Sequence, residues 1–229
     1  MIASARGTGA GLAAVSLGRT FARGAESVTA LAGVSFTVAG GELVALAGPS
    51  GSGKSTLLAL LCGWDNADSG TLTYTGPLAG RPPDALAWSE LALVPQALGL
   101  LAELSLADNV LLPARLNGGT AAAESRAKQL LEDLGLSHVA DRYPHQTSLG
   151  EQQRAAVARA LVLDPAVLLA DEPSAHQDRG HADVLLDALV AQARAGSAVL
   201  VATHDEQAWH RADRVLSIRD GRLGGGGPA

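Results

Sequence analysis

The stretch Leu43-Val44-Ala45-Leu46-Ala47-Gly48-Pro49-Ser50-Gly51-Ser52-Gly53-Lys54-Ser55-Thr56 decides the fold. An uninterrupted apolar run, entered from the Gly40-Gly41 turn, reads as a short strand buried on both faces, the signature of a parallel sheet. Gly48 to Ser55 then fits the P-loop pattern in full. Glycines let the backbone turn its N–H groups inward around phosphate oxygens. Lys54 to Cys62 reads as a helix closed by Gly63, and its positive dipole end points at the same place. Lys54 supplies a compact charge for terminal phosphates, and the Ser55 hydroxyl stands where it can coordinate Mg²⁺. Thr56, next in the first turn, is counted with Gly48, Pro49, Ser50, Gly51, Ser52, Gly53, Lys54 and Ser55 as an ATP-binding residue. A glycine-rich turn with an incidental Lys is the bland alternative. A chain whose only lysines are Lys54 and Lys128 makes that coincidence hard to sustain.

A second apolar strand, Val167-Leu168-Leu169-Ala170, runs into Asp171-Glu172-Pro173. Acids at the carboxyl end of a parallel strand face the ligand crevice. Asp171 is assigned to Mg²⁺. Glu172 is assigned to polarising the attacking water, a general-base role worth typically about 10²–10⁴ in rate. Alone, a strand ending in Asp-Glu is often only a strand leaving the core; the P-loop upstream gives it meaning.

The rest of the chain fits around these two strands. Val28 to Val38 and Thr71 to Tyr74 read as strands, Leu91 to Val94 as a strand stopped by Pro95, and Ala198 to Ala202 as a further core strand. From Leu98 to about Leu136 the pattern is helical, with breaks expected at Pro113 and Gly118-Gly119. Alternating strands and helices imply an α/β fold with a mainly parallel core sheet, and residues 97–157 form an inserted helical subdomain. A single domain over 1–229 is expected, with 1–14 and 224–229 as disordered tails.

Composition excludes several classes. The 229 residues carry a net charge of −6 and are 47% hydrophobic, enough for a substantial core. The acidic balance, with no basic run, argues against nucleic acid as a partner. Cys62, the lone cysteine, permits no intrachain disulfide and reads as a small buried hydrophobe. No apolar run reaches the ~18 residues of a membrane-spanning helix, and Met1 to Ala14 lacks the apolar segment of a signal peptide. A cytoplasmic chain is expected, with any membrane role supplied by a partner.

Read together, these motifs resemble the ABC ATPase family over nearly the whole chain. Phe21 stands where the family carries an aromatic that stacks on adenine. Gln96, after Val94-Pro95, resembles the Q-loop glutamine that contacts Mg²⁺ and water and senses a transmembrane partner. Thr147-Ser148-Leu149-Gly150-Glu151 stands where the signature L-S-G-G-Q or L-S-G-G-E belongs, and Ser148-x-x-Glu151 also satisfies a capping box. Thr203-His204-Asp205 resembles the H-loop, whose His contacts the γ-phosphate. The resemblance implies an antiparallel β subdomain at the N-terminus and a P-loop core. It also implies hydrolysis of Mg-ATP with Glu172, His204 and Gln96 as catalytic residues and Ser55, Gln96 and Asp171 at the metal. In this family two ATPase subunits, identical or related, sandwich ATP head to tail. The signature of one (Ser148, Leu149, Gly150 and Glu151 here) closes on the P-loop ATP of the other, and Asp178 belongs to the D-loop.

Three positions depart from the pattern. Leu149 replaces the first signature Gly and Thr147 the Leu that opens the signature, and Gln177 stands in Ser174-Ala175-His176-Gln177-Asp178 where the family usually has Leu. If the backbone at 149 requires positive φ, Leu costs about 1–3 kcal/mol of strain. Asp108-Asn109-Val110-Leu111-Leu112-Pro113 resembles a segment of the lipoprotein-releasing and macrolide-exporter subfamily. That resemblance implies an integral-membrane permease as partner, with this subunit peripheral on the inner face of the cell membrane. A non-hydrolysing regulatory subunit of a mixed dimer is the alternative, disfavoured by Glu172 and His204. A soluble ABC ATPase of DNA repair or translation needs two such domains or a long coiled coil, which this length does not hold.

Overall fold

The computed structural model describes residues 9–24 and 26–224. In chain order the N-terminal half contains β1 (Gly11–Arg23), β2 (Glu26–Val38), β3 (Leu43–Ala47), α1 (Lys54–Leu61), β4 (Ser69–Thr75), β5 (Leu91–Val94), α2 (Leu106–Leu116) and α3 (Ala121–Asp133). The remainder contains α4 (Leu149–Leu161), β6 (Val167–Asp171), α5 (Arg179–Arg194), β7 (Ala198–Thr203), α6 (Glu206–Arg211), β8 (Arg214–Arg219) and β9 (Arg222–Leu223). The fold is α/β. A six-stranded sheet of order β5-β6-β7-β3-β8-β9 is parallel except for β9, and β2-β1-β4 form an antiparallel sheet.

The continuous apolar runs are explained by burial on both faces of the large sheet. Along β6, Leu168 and Ala170 join a cluster with Val110, Val157 and Leu189 from the helices. Val167 and Leu169 join the opposite cluster with Leu12, Leu46 and Leu58. Side chains of a strand alternate between faces, so a strand covered on both sides has no polar position to offer. Helices α2, α3 and α4 pack on one another beside β5.

Three expectations need correction. Residues 9–14 are not a disordered tail: β1 begins at Gly11, with Leu12 and Ala14 each 2% exposed. Their inward alternation is hidden by Gly- and Ala-rich composition. Residues 1–8 and 225–229 of the two expected tails lie outside the described residues, while Gly224 N–H donates to Ser217 O at 2.8 Å. Pro113 does not break the helix, because α2 continues to Leu116. A helix-interior Pro costs about 3 kcal/mol, here offset by burial of Leu106, Val110, Pro113 and Ala114. The chain turns instead at Gly118 and Gly119, both at positive φ.

Candidate active site

Parallel register brings the quoted motifs to one edge. Val94 pairs with Ala170, Asp171 with Ala202, and Ala47 with Thr203. The residues that follow β5, β6, β7 and β3, namely Gln96, Glu172, His204 and Gly48, therefore leave the sheet at the carboxyl ends of its strands, where α/β proteins bind ligands.

The loop before α1 is held by backbone that only glycine allows. A Cβ on Gly48 would lie 2.3 Å from Ile218 O. Gly53, the residue capping α1, has φ 105, and a Cβ there would lie 2.5 Å from Ala30 O. Gly221 N–H donates to Ser52 O at 3.1 Å and Ala32 N–H to Gly221 O at 2.8 Å, tying the loop to β2. Pro49, Ser50 and Gly51 are exposed, Thr56 is half-buried, and Lys54 is 7% exposed.

Lys54 Nζ donates to Gly48 O at 2.7 Å and lies 3.6 Å from Glu172 Oε1. The other oxygen of Glu172 accepts from Thr203 Oγ1 at 2.9 Å and lies 3.0 Å from His204 Nδ1. Glu172 is itself at φ 49, a left-handed conformation held by Glu172 N–H donating to Ala202 O at 2.8 Å. Gln153 on α4 donates to Glu172 O at 3.2 Å. Nothing in the sequence marked Gln153 or Thr203 as partners of Glu172; Thr203 was visible only as the residue before His204.

Asp171 is buried, and burial pushes its carboxyl above the ordinary carboxylate range, with Glu172 adding to the shift and the Ser55 hydroxyl and Lys54 opposing it. Among the described residues, Asp171 Oδ1 and Ser52 Oγ are buried without a hydrogen-bond partner. Buried polar atoms are rarely left so. An oxygen-preferring divalent cation beside Ser55 would satisfy Asp171 Oδ1. Among the described residues no group of three or more His, Cys, Asp or Glu forms a metal cage. Mg²⁺ needs none, because it is held by one or two side chains plus phosphates.

The other predicted site residues lie around this centre. Gln96 is exposed after β5. Phe21, on β1, is 39% exposed and carries the Arg19 guanidinium 4.7 Å from its ring centroid. Arg19 is held there by Asp65 and Asp68. Phe21 pairs with Val28, two residues from the Ala30 carbonyl that meets Gly53.

The signature residues are apart from these groups, with Asp178. Ser148 caps α4, its Oγ accepting from Glu151 N–H at 3.3 Å while Glu151 Oε2 accepts from Ser148 N–H at 2.8 Å. Burial works against ionisation of Glu151, but the Ser148 backbone and side-chain bonds leave its carboxyl below the ordinary range. Leu149 opens the helix, is 47% exposed and is not among the positive-φ residues. The strain considered for it is therefore absent. Gly150 is the constrained glycine instead: a Cβ would lie 3.2 Å from His176 O. Asp178 caps α5 and accepts from His181 N–H at 3.0 Å.

A second concavity of about 520 Å³ opens between β5, α2 and α4. Trp64, Trp88, Leu101, Leu112, Pro113 and Arg159 are among its walls. Arg159 donates to Leu98 O and Gly99 O, both at 2.6 Å, tying α4 to the segment that follows Gln96.

Comparison with known proteins identifies the family. Residues 31–175 match the family described as "ABC transporter". The lipoprotein-releasing system ATP-binding protein LolD of Novosphingobium aromaticivorans is 42% identical over 214 residues, covering 90% of this chain and 95% of that one. The ABC transporter ATP-binding protein YbbA of Escherichia coli K12 is 42% identical over 214 residues, covering 90% and 93%. Among solved structures, the dimeric post-hydrolysis state of the ATP-binding cassette MJ0796 bound to ADP and Pi superposes with TM-score 0.83 at 29% identity, covering 93% of this chain and 96% of that one. This chain belongs to the ABC transporter family, as an ATP-binding subunit built on the ABC ATPase domain.

Proposed function

We propose that the chain hydrolyses Mg-ATP in a head-to-tail dimer and drives a separate integral-membrane permease of the lipoprotein-releasing type, on the inner face of the membrane. The observation that carries the reading is the contact chain Lys54–Glu172–His204, with separations of 3.6 and 3.0 Å, at the end of three aligned strands. In it, N–H groups of residues 50–53 and the start of α1 cradle the phosphates. Lys54 leaves the Gly48 carbonyl for the terminal phosphates. Ser55, Asp171 and Gln96 would hold Mg²⁺, which would supply charge neutralisation at the phosphates. Water attacks the γ-phosphorus as Glu172 accepts its proton, and ADP leaves with the bridging oxygen. His204 orients Glu172 and meets the γ-phosphate, and Phe21 stacks on the adenine ring.

The permease reading is supported by the apolar groove beside Gln96. Trp64, Trp88 and Leu101 are 70, 44 and 45% exposed there, more apolar surface than a self-sufficient domain needs to show at one place. Among the described residues, no helix is long and apolar enough to cross a membrane. A helix of the permease seated in the groove would press on the Leu98–Gly99 segment and, through Arg159, on α4. The test is ATP turnover in proteoliposomes with a multi-span permease of the lipoprotein-releasing type. The expected result is a slow basal rate that the permease raises severalfold, with the ratio lost in Leu101→Glu. An unchanged ratio in that variant would remove the groove as the docking site.

A further inference from the structure

Gln177 occupies the position where the family pattern has Leu, and both ends of its amide are used. Its Nε2 donates to Gly150 O at 2.9 Å, and its Oε1 accepts from Arg154 Nη1 at 2.8 Å. Arg154 is 5% exposed, and its Nε has no partner among the described residues. Three helix residues spaced i, i+3 and i+4 share one face. On α4 these are Gly150, Gln153 and Arg154, and all three grip the segment that runs from Glu172 to Gln177. Gln153 holds the Glu172 carbonyl at one end of that segment, and Gly150 and Arg154 hold Gln177 at the other. The backbone between is fixed as well. Glu172 and His176 are both at positive φ, and the missing Cβ of Gly150 lets the His176 carbonyl approach.

We propose that Gln177 is a positioning residue for hydrolysis: it clasps the loop leaving the catalytic acid onto the first turn of α4, so that the signature turn and Glu172 move as one body. This rests on the dimer reading above. When the signature turn of this chain meets the ATP of the other subunit, the displacement is carried along a hydrogen-bonded segment to this chain's own Glu172. Leu at 177 could make neither bond. It would leave the buried Arg154 guanidinium without its acceptor, a cost of the unsatisfied kind rather than of one weak bond. Gln177 and Arg154 therefore form an energetic pair, and their substitutions are non-additive.

The experiment measures turnover of the full chain against ATP and against protein concentration, with nucleotide affinity measured separately at low protein concentration. Gln177→Leu is expected to lower maximal turnover about tenfold, since small misplacements of catalytic groups cost up to about 10²-fold. It should also bring the Hill coefficient close to one and leave nucleotide affinity within about twofold of wild type. Gln177→Glu keeps the Arg154 partner but puts an acceptor against the Gly150 carbonyl, and should lose cooperativity without losing the fold. Arg154→Met combined with Gln177→Leu should be no worse than Gln177→Leu alone. Wild-type cooperativity and turnover in both Gln177→Leu and Gln177→Glu would overturn the clasp while leaving the dimer intact. A wild-type specific rate independent of protein concentration would overturn the dimer reading and the clasp together.

Discussion

His204 Nδ1 and Glu172 Oε2 lie 3.0 Å apart, and the same oxygen accepts from Thr203 Oγ1 at 2.9 Å. Two neighbours at the end of β7 thus fix which oxygen of Glu172 is occupied and which faces Lys54. A base held in one orientation needs no reorganisation at the moment of reaction. His204→Ala should therefore lower maximal turnover by about 10²-fold, the ordinary weight of a positioned polar group in a transition state, while changing nucleotide affinity little. A loss of affinity with maximal turnover unchanged would place His204 in binding alone.

Lys54 donates its hydrogen bonds to backbone carbonyls of its own loop and lies opposite Glu172. Removing its charge leaves the phosphates uncompensated. Lys54→Ala should weaken Mg-ATP binding about 10- to 100-fold, the equivalent of a charged hydrogen bond worth about 1.5–3 kcal/mol. Titration of a fluorescent nucleotide with Mg²⁺ present checks it; unchanged affinity contradicts the assignment of the loop.

Asp171 links activity to stability. Burial raises its carboxyl above the ordinary range. An acid whose folded pKa lies above its unfolded value, about 3.9, favours folding below that pH and loses the contribution as pH rises through the folded pKa. At neutral pH the ionised group is a net cost. Asp171→Asn should raise the thermal midpoint at pH 7.5 without nucleotide, by about 2–4 °C per kcal/mol relieved, and the gain should shrink as pH falls to 4. The same variant should lose most of the stabilisation that Mg-ATP gives the wild type. A lower midpoint at pH 7.5 would mean that the carboxylate is compensated in the folded chain.

Leu149 places an exposed branched side chain at the helix start that an anion would approach, with no backbone strain. In the dimer proposed above its effect is steric and confined to closing. Leu149→Gly should raise maximal turnover, or lengthen the lifetime of the ATP-bound dimer in a Glu172→Gln background, with monomer affinity unchanged. No gain in either quantity would make Leu149 a tolerated substitution.

The parts legible in sequence were those where burial leaves one kind of residue. β3, β6 and β7 read as apolar runs because both faces of the large sheet are covered. The P-loop was legible because Gly48 and Gly53 sit where a Cβ would strike Ile218 and Ala30. β1 was missed where Gly11 to Ala14 resembles a polar-poor tail, and β8 because its residues are mostly half-buried and mixed. Pro113 misled because tertiary packing outweighed a local propensity. No spacing could show that Gln177 reaches Gly150 and Arg154, since that contact depends on how α4 lies against the loop after β6.

The central claim is that Glu172 is the base of an ATP hydrolysis carried out by this chain. The most direct test is phosphate release from Mg-ATP by the purified wild type and Glu172→Gln at equal, saturating nucleotide occupancy. The amide keeps the shape and the contacts to Thr203 but accepts no proton. The account predicts normal binding, turnover lower by at least about 10², and an ATP-bound dimer that persists in size-exclusion chromatography. Near-normal phosphate release by Glu172→Gln would contradict it.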